Sequence, residues 1–382
     1  MARLPHSTAW PDGDLPVRVL ITARDAGAGH QSRAFVDAAL ARGAFEFHVL
    51  AQDPAARSFA EGGVRCSIAE SDIDTHIERA FEAFAPDFVL AGLSGFDGGV
   101  DEAALVAARR RGVATGSIQD YWGYLGPVGS TLRPDVFFVL DERARELTLQ
   151  RTGGSVETRV TGSPKHEGYA ARLPEWMASR RDTGHPRLVF FLQPREVPGI
   201  VDNAEIFLMA AGRLRLPVSV TLRLHPADDD PAFYAAMTAR LYPAAEVARP
   251  QGPIEAELCR TDVVVTCFST VGLDHNYLQA FSAHPIGCLA YVAAGEPVRA
   301  FMREVIGSDR VPGAEVGMGA MLHSLEELAG WMEEALTGDR ERERYADAVR
   351  RNLGIRGRVP SDHIAAYIES VTRRHTPRNI DT

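Results

Sequence analysis

Short apolar runs alternate with helical patterns along almost the whole chain, and that alternation leaves few folds open. Residues 17–22 (VRVLIT) form the first run, which suits a parallel strand buried on both faces. A glycine-rich turn follows at residues 25–30 (DAGAGH), then a helical pattern over 31–42 and a second strand over 45–51 (FEFHVLA). Further on come a helix at 73–84, a strand at 87–93, a helix at 101–111 and strands at 114–118 and 135–140. A helix at 142–150 and a strand at 158–162 close the set. Strands spaced by helices in this way are βαβ units, which build a parallel sheet with helices on both faces.

The pattern then repeats. A proline-containing stretch up to Pro186 reads as a linker, and a second alternation starts at 187–192 (RLVFFL). It continues through strands at 218–224 (VSVTLRL) and 262–267 (DVVVTC), with a weak strand at 245–248 and a last one at 285–289. Helices are expected at 200–213, 231–241, 254–259 and 270–281, then at 324–336, 340–352 and from 361 to about 374. The expected fold is α/β, with two tandem Rossmann-like, doubly wound domains and C-terminal helices. A ligand cleft is expected between them, at the carboxyl ends of the strands. The division is an arm at 1–16, a first domain at 17–164, a linker at 165–186, a second domain at 187–352 and a C-terminal helical segment at 353–382. A length of 382 residues accommodates two such domains.

Composition narrows the partners. Apolar residues make up 45% and charged residues 24%, as expected of a globular protein, and the net charge is −10. That acidity argues against nucleic acid, whose binding draws on a basic face. A small anion remains compatible, because helix N-termini and a few arginines hold phosphates locally. The four cysteines, Cys66, Cys259, Cys267 and Cys288, form no C-x-x-C pair and read as reduced thiols. Residues 1–16 lack the apolar core of a secretory signal, and no window approaches the ~20 apolar residues that span a bilayer. A cytoplasmic protein is expected. No histidine, cysteine or carboxylate spacing suggests a metal site, and no feature specifies an oligomeric state.

Five short segments carry candidate chemistry. Gly27-Ala28-Gly29-His30-Gln31-Ser32-Arg33 lies between a strand and a helix, where glycines admit a ligand and N–H groups face an anion. A dinucleotide fingerprint needs a third glycine where Ser32 stands, although Asp53 lies about where its ribose-binding acid belongs. Arg223 and His225, in the run LRLHP, end a strand and can point into the cleft. Ser269 and Thr270 follow the strand 262–267 and either cap the next helix or hold a phosphate there as well, with Asp274 and Gln279 further along it. Asp120 follows a strand directly, and Tyr121 and Trp122 after it either stack on a sugar or base or pack into the domain. Thr161-Gly162-Ser163-Pro164 suits a hinge, while Asp97, Asp101 and Glu102 are acids suited to starting a helix.

Together these segments resemble the GT-B superfamily of nucleotide-sugar enzymes. GAGHQSR is similar to the G-x-G-H-x-x-R turn of the nucleotide-sugar hydrolase of pseudaminic acid synthesis, and more loosely to the glycine turn of MurG-type transferases. His225-Pro226 resembles the H-P pair of capsule and teichoic-acid polymerases and of UDP-N-acetylglucosamine 2-epimerases. STVGLDHNYLQAF, residues 269–281, occupies the place of their phosphate-binding turn and helix. In place of the glutamate that usually holds the donor ribose, either Asp274 or Gln279 serves, or neither does, and the paired glycines and glutamates of the epimerase turn are absent.

The resemblance implies a first domain on the acceptor side, a second on the donor side and a C-terminal helix, residues 357–368 within it, that crosses back to the first. It implies an inverting, metal-independent glycosyltransferase whose substrates are a nucleotide-sugar and a hydroxyl acceptor, with no further cofactor. His30 or Asp120 would be the base. Arg223, His225, Ser269, Thr270, Asp274 and Gln279 would bind the donor. Gly27, Gly29 and Arg33 would form a phosphate or acceptor turn, and Tyr121 and Trp122 would stack on sugar. Rival expectations are a nucleotide-sugar hydrolase or epimerase of the same fold, or a non-catalytic protein that binds a nucleotide-sugar or NAD.

Overall fold

The computed structural model describes residues 15–95, 98–127, 130–180, 184–226, 228, 230–353 and 359–373. Asp97 and most of the expected N-terminal arm lie outside them. Seven parallel strands form the first sheet: β1 (Val17–Ala23), β2 (Phe45–Ala51), β3 (Ser67–Ile68), β4 (Phe88–Ala91), β5 (Ala114–Ile118), β6 (Val136–Val139) and β7 (Glu157–Val160). Six form the second: β8 (Arg187–Phe191), β9 (Ser219–Arg223), β10 (Glu246–Ala248), β11 (Val263–Thr266), β12 (Cys288–Val292) and β13 (Ala320–Leu322). The spatial orders are β3-β2-β1-β4-β5-β6-β7 and β10-β9-β8-β11-β12-β13. Strand order therefore reverses beside β1 and beside β8, and a crevice opens at the carboxyl ends there.

In the first half the helices are α1 (Ala26–Leu40), α2 (Ala55–Glu61), α3 (Ile73–Phe84), α4 (Val100–Arg111) and α5 (Glu142–Thr152). The connecting segment carries α6 (Tyr169–Ala178). The second half has α7 (Ile200–Ala211), α8 (Pro231–Leu241), α9 (Ile254–Cys259), α10 (Thr270–Phe281), α11 (Glu296–Ile306), α12 (Pro312–Glu315), α13 (Leu325–Thr337), α14 (Asp339–Asn352) and α15 (Pro360–Thr372).

The central strands are buried on both faces, which is why they read as continuous apolar runs. Alternation along β6 shows what each face meets. Val136 and Phe138 join a core with α1, whereas Phe137 and Val139 join a core that continues through residues 121–125 into the second half. The two halves thus share apolar packing as well as chain crossings. After α14 the chain returns to the first half, where Ile364, Ala365 and Ile368 of α15 enter the core beneath α1. Arg42 pairs with Asp362 at 2.5 Å, and the Tyr367 hydroxyl donates to Glu157 at 2.8 Å. The Ser361 N–H donates to Glu167, and a Cβ on Gly162 would lie 3.0 Å from the Pro360 ring, so both chain crossings meet.

Three expectations need correction. The glycine segment is no turn before a helix, because α1 already starts at Ala26 with Asp25 as its N-cap. The strand expected at 285–289 is β12, shifted toward the C-terminus, with Gly287 packed on the backbone of Thr261. The helices α2, α11 and α12 and the edge strands β3 and β13 went unread, the two strands because two or three residues carry no usable alternation. No helix among the described residues is long and apolar enough to cross a membrane.

Ile368 is fully buried between α15 and the first sheet. Ile368→Ala is expected to destabilise the protein by about 2–5 kcal/mol. Urea unfolding measures this, and an unchanged midpoint would show that α15 contributes nothing to the fold.

Candidate active site

The site begins with Asp25. Its carboxylate accepts from the N–H of Ala28 at 2.8 Å and from the N–H of Gly95 at 3.0 Å, joining the carboxyl ends of β1 and β4. The cap places Gly27, Gly29 and His30 within the first turns of α1. A Cβ on Gly27 would stand 2.5 Å from Oδ2 of Asp120, and one on Gly29 would stand 3.0 Å from the Ala55 backbone. Gly27 is therefore what lets the Asp120 carboxyl, arriving beyond β5, lie against the first turn of α1.

Two carboxyl groups meet here. Burial, followed by the neighbouring Asp25 charge, pushes the Asp120 carboxyl up to about 7, only partly opposed by Lys165. Burial also raises Asp25. His30 goes the other way: burial, then the charges of Lys165 and Arg33, bring it down to about 4. At neutral pH it is an uncharged imidazole.

Across the cleft a directed chain of hydrogen bonds joins α1 to α10. The Lys165 N–H donates to Oε1 of Gln31 at 3.1 Å, and Nε2 of Gln31 donates to the Ser163 hydroxyl at 2.8 Å. Burial brings His166 down to about 4, so its ring is neutral. Nδ1 then accepts from the Ser163 hydroxyl at 2.6 Å, and Nε2 donates to Oδ1 of Asp274 at 2.8 Å. The ring stacks on Tyr277 with centroids 3.8 Å apart. The Lys165 ammonium donates to both Asp274 oxygens, at 2.6 and 2.8 Å, and remains 16% exposed. Burial alone would raise Asp274, yet Lys165 and His166 hold its carboxyl well below the usual range. The Tyr169 hydroxyl donates to Glu255 at 2.7 Å and lies 3.3 Å from Oδ1 of Asp274.

The structure brings some of the expected residues together and not others. Gly27, Gly29, His30 and Asp120 share one corner, and Asp274 faces it through Lys165. Ser269 caps α10 by accepting from the Val271 N–H at 3.3 Å, with Thr270 opening the helix. His225 follows β9, and burial and Arg223 keep it below its ordinary value. Arg223 itself is engaged, buried with its Nε 3.3 Å from the partly buried Glu257, so it is not a free donor cation. Gln279 accepts from the Ile286 N–H at 2.8 Å and is fully buried at the far end of α10, away from the N-terminus where a donor phosphate would sit. Asp274 is committed to Lys165 and His166 rather than open to a ribose. Arg33 runs along Gly62 and donates to the Ser58 carbonyl at 3.4 Å. Tyr121 and Trp122 are 5% and 1% exposed, with the Trp122 indole donating to Asp141 at 2.8 Å. They pack between the halves and offer no stacking face, which corrects the sugar-stacking expectation. Among the described residues no group of His, Cys, Asp or Glu has the spacing of a metal site.

Lys165 and His166 escaped sequence reasoning, and Asp25, Gln31 and Ser163 stand in the motifs above without a role of their own. For Lys165 a signal existed: it is the only lysine among the 41 basic residues, the rest being arginine. A chain that uses arginine everywhere else keeps one compact ammonium, and it sits in the cleft.

The raised carboxyl has a consequence for stability. Native Asp120 holds its proton to about pH 7, while the unfolded side chain releases it near 3.8. Between those values the native state binds more protons, so this residue's contribution falls as pH rises. Asp120→Asn should raise Tm relative to the parent at pH 8 and leave it nearly unchanged at pH 4. A difference independent of pH would contradict the raised carboxyl.

No protein-family model and no curated sequence matches the chain. Solved structures do. MnaA of S. aureus, solved with UDP, superposes with a TM-score of 0.68 at 12% identity, covering 94% of this chain and 97% of that one. UDP-GlcNAc 2-epimerase from Neisseria meningitidis, bound to UDP-GlcNAc, gives 0.63 at 11% identity, covering 93% and 100%. MurG of Acinetobacter baumannii gives 0.54 at 11% identity, covering 93% and 100%. Two parallel sheets, a crevice between their carboxyl ends and this likeness over nearly full length together show that the chain has the two-domain GT-B fold.

Proposed function

We propose that the chain is a glycosyltransferase that moves a sugar from a nucleotide-sugar donor to an acceptor hydroxyl, with inversion and without a metal ion. The observation that carries this reading is the Asp120 carboxyl. It lies against the first turn of α1, within electrostatic reach of Lys165 and of Asp274 on α10, with a proton affinity raised to about 7. A general base works best when its pKa lies near the working pH. His30, down at about 4, is the poorer proton acceptor. The base is accordingly Asp120, and neutral His30 serves as a hydrogen-bonding neighbour.

In the proposed reaction the acceptor O–H gives its proton to Asp120 while its oxygen bonds to the anomeric carbon. The bond from that carbon to the diphosphate breaks, and both of its electrons leave with the nucleoside diphosphate. The N–H groups at Ser269 and Thr270, where α10 begins, would face the growing negative charge. Domain closure would keep water from replacing the acceptor. The GT-B fold supports a nucleotide-sugar substrate, and the UDP and UDP-GlcNAc bound in the fold's relatives make a uridine nucleotide the first choice.

Activity of Asp120→Asn tests the base. The expected loss in kcat is about 10²–10⁴-fold, and undiminished turnover would overturn the assignment. In the parent, kcat/KM should rise as pH passes through about 7, where Asp120 loses its proton. EDTA should leave the rate intact.

The class of reaction is separated by supplying the donor alone. A transferase releases nucleotide only with acceptor present. Rapid release into water marks a hydrolase, and a 2-epimer formed with the nucleotide still attached marks an epimerase. A thermal-shift screen of UDP, CMP, CDP, GDP and dTDP against NAD should raise Tm for one diphosphate nucleotide and not for NAD. Saturable binding without turnover of any donor would make the chain a binding protein.

A further inference from the structure

Four observations converge on Lys165. It is the chain's only lysine. Its backbone is fastened to α1 through Gln31, and its side chain reaches α10 through Asp274. Asp274 lies four residues after Thr270, on the same face of α10 one turn on. Helical side chains lean toward the N-terminus, so Asp274 carries the ammonium toward the turn at Ser269 and Thr270. On the other side the ammonium is within electrostatic reach of His30 and Asp120.

The ion pair is also built to open. When the ammonium leaves, Oδ1 of Asp274 keeps the hydrogen bond from His166 at 2.8 Å, and the Tyr169 hydroxyl stands 3.3 Å away. The carboxylate is thus not stranded without donors, which is the usual penalty for breaking a buried pair. A lysine suits such movement, being a point charge on a flexible stem, whereas an arginine fork is rigid and binds carboxylate in a fixed geometry.

We propose that Lys165 is a substrate-contacting cation whose ammonium swings from Asp274 to the diphosphate of the donor and neutralises it as the glycosyl bond breaks. This rests on the glycosyltransferase reading above and adds the cation that reading lacks, since Arg223 is held by Glu257. It also gives the hinge a part in the chemistry. Donor binding would draw the ammonium off Asp274, leave His166 as the link between the connecting segment and α10, and bring the charge to the reacting bond.

The single ε-amine makes the test direct. Reductive ¹³C-methylation keeps the positive charge and labels only Lys165 and the chain's α-amino group. UDP should shift the Lys165 methyl resonance, while uridine, which lacks phosphate, should not. The α-amino resonance is the internal control. A signal unmoved by saturating UDP overturns the proposal, and so does an equal shift with uridine.

Lys165→Met should weaken UDP binding about tenfold or more and lower kcat/KM roughly 10²-fold. If that variant fails to fold, Lys165→Met with Asp274→Asn removes both charges and gives the same comparison. Retained UDP affinity and kcat/KM in a folded variant overturn the role. A thermal shift with UDP but an unmoved lysine signal refutes Lys165 and leaves the transferase reading standing. No thermal shift with any nucleotide refutes that reading itself.

Discussion

The buried Asp274 carboxylate is the interaction on which the cleft depends. It is fully enclosed, so its charge has to be met by the connecting segment, through Lys165 and His166, or the protein would carry an unpaired ion in its interior. Those two residues follow directly on the turn that ends the first half. Gln31 then ties the same turn to α1. One carboxylate thus fixes α10, the connection between halves and α1, the helix that contains Gly27 and Gly29. His166, stacked on Tyr277, stays neutral there because burial outweighs the pull of the Asp274 charge.

The opposite wall is governed by a steric constraint. Gly27 leaves room for a carboxyl group against α1, and Asp25 caps that helix within reach of it. Burial, with the Asp25 charge added to it, is what pushes the Asp120 carboxyl up to about 7. Electropositive character comes instead from backbone N–H groups and Lys165. An acidic chain with a net charge of −10 can therefore present a site for an anion without a basic surface.

The architecture was legible because it depends on periodicity. Strands such as β1, β6 and β11 must be apolar on both faces wherever they sit in a doubly wound sheet. The site was legible only in part. Glycines 27 and 29 look like a turn because glycine weakens helices, and only the Asp25 cap and the Asp120 contact explain them inside one. Tyr121 and Trp122 look like a binding platform because sequence does not say which surface an aromatic cluster faces. Here it faces the other half of the molecule. Arg223 was recognisable as a cation at a strand end, but its partner Glu257 is 34 residues away in sequence. Lys165 was hidden inside a total of 41 basic residues, where charge was counted and type was not.

The meeting of the two chain crossings also limits how this molecule moves. A Cβ on Gly162 would meet the Pro360 ring, and the Ser361 N–H donates to Glu167, so the start of α15 lies against the segment that leaves the first half. Lys165 and His166 lie beside that spot in the chain, so the bonds to Asp274 are made close to both connections. A second attachment lies elsewhere, where residues 121–125 pack into the other half and the Arg151 guanidinium donates to the carbonyl of Glu304 at the end of α11. Two separate attachments leave one free axis, the line that joins them, so a turn of one half on the other has to run about that line.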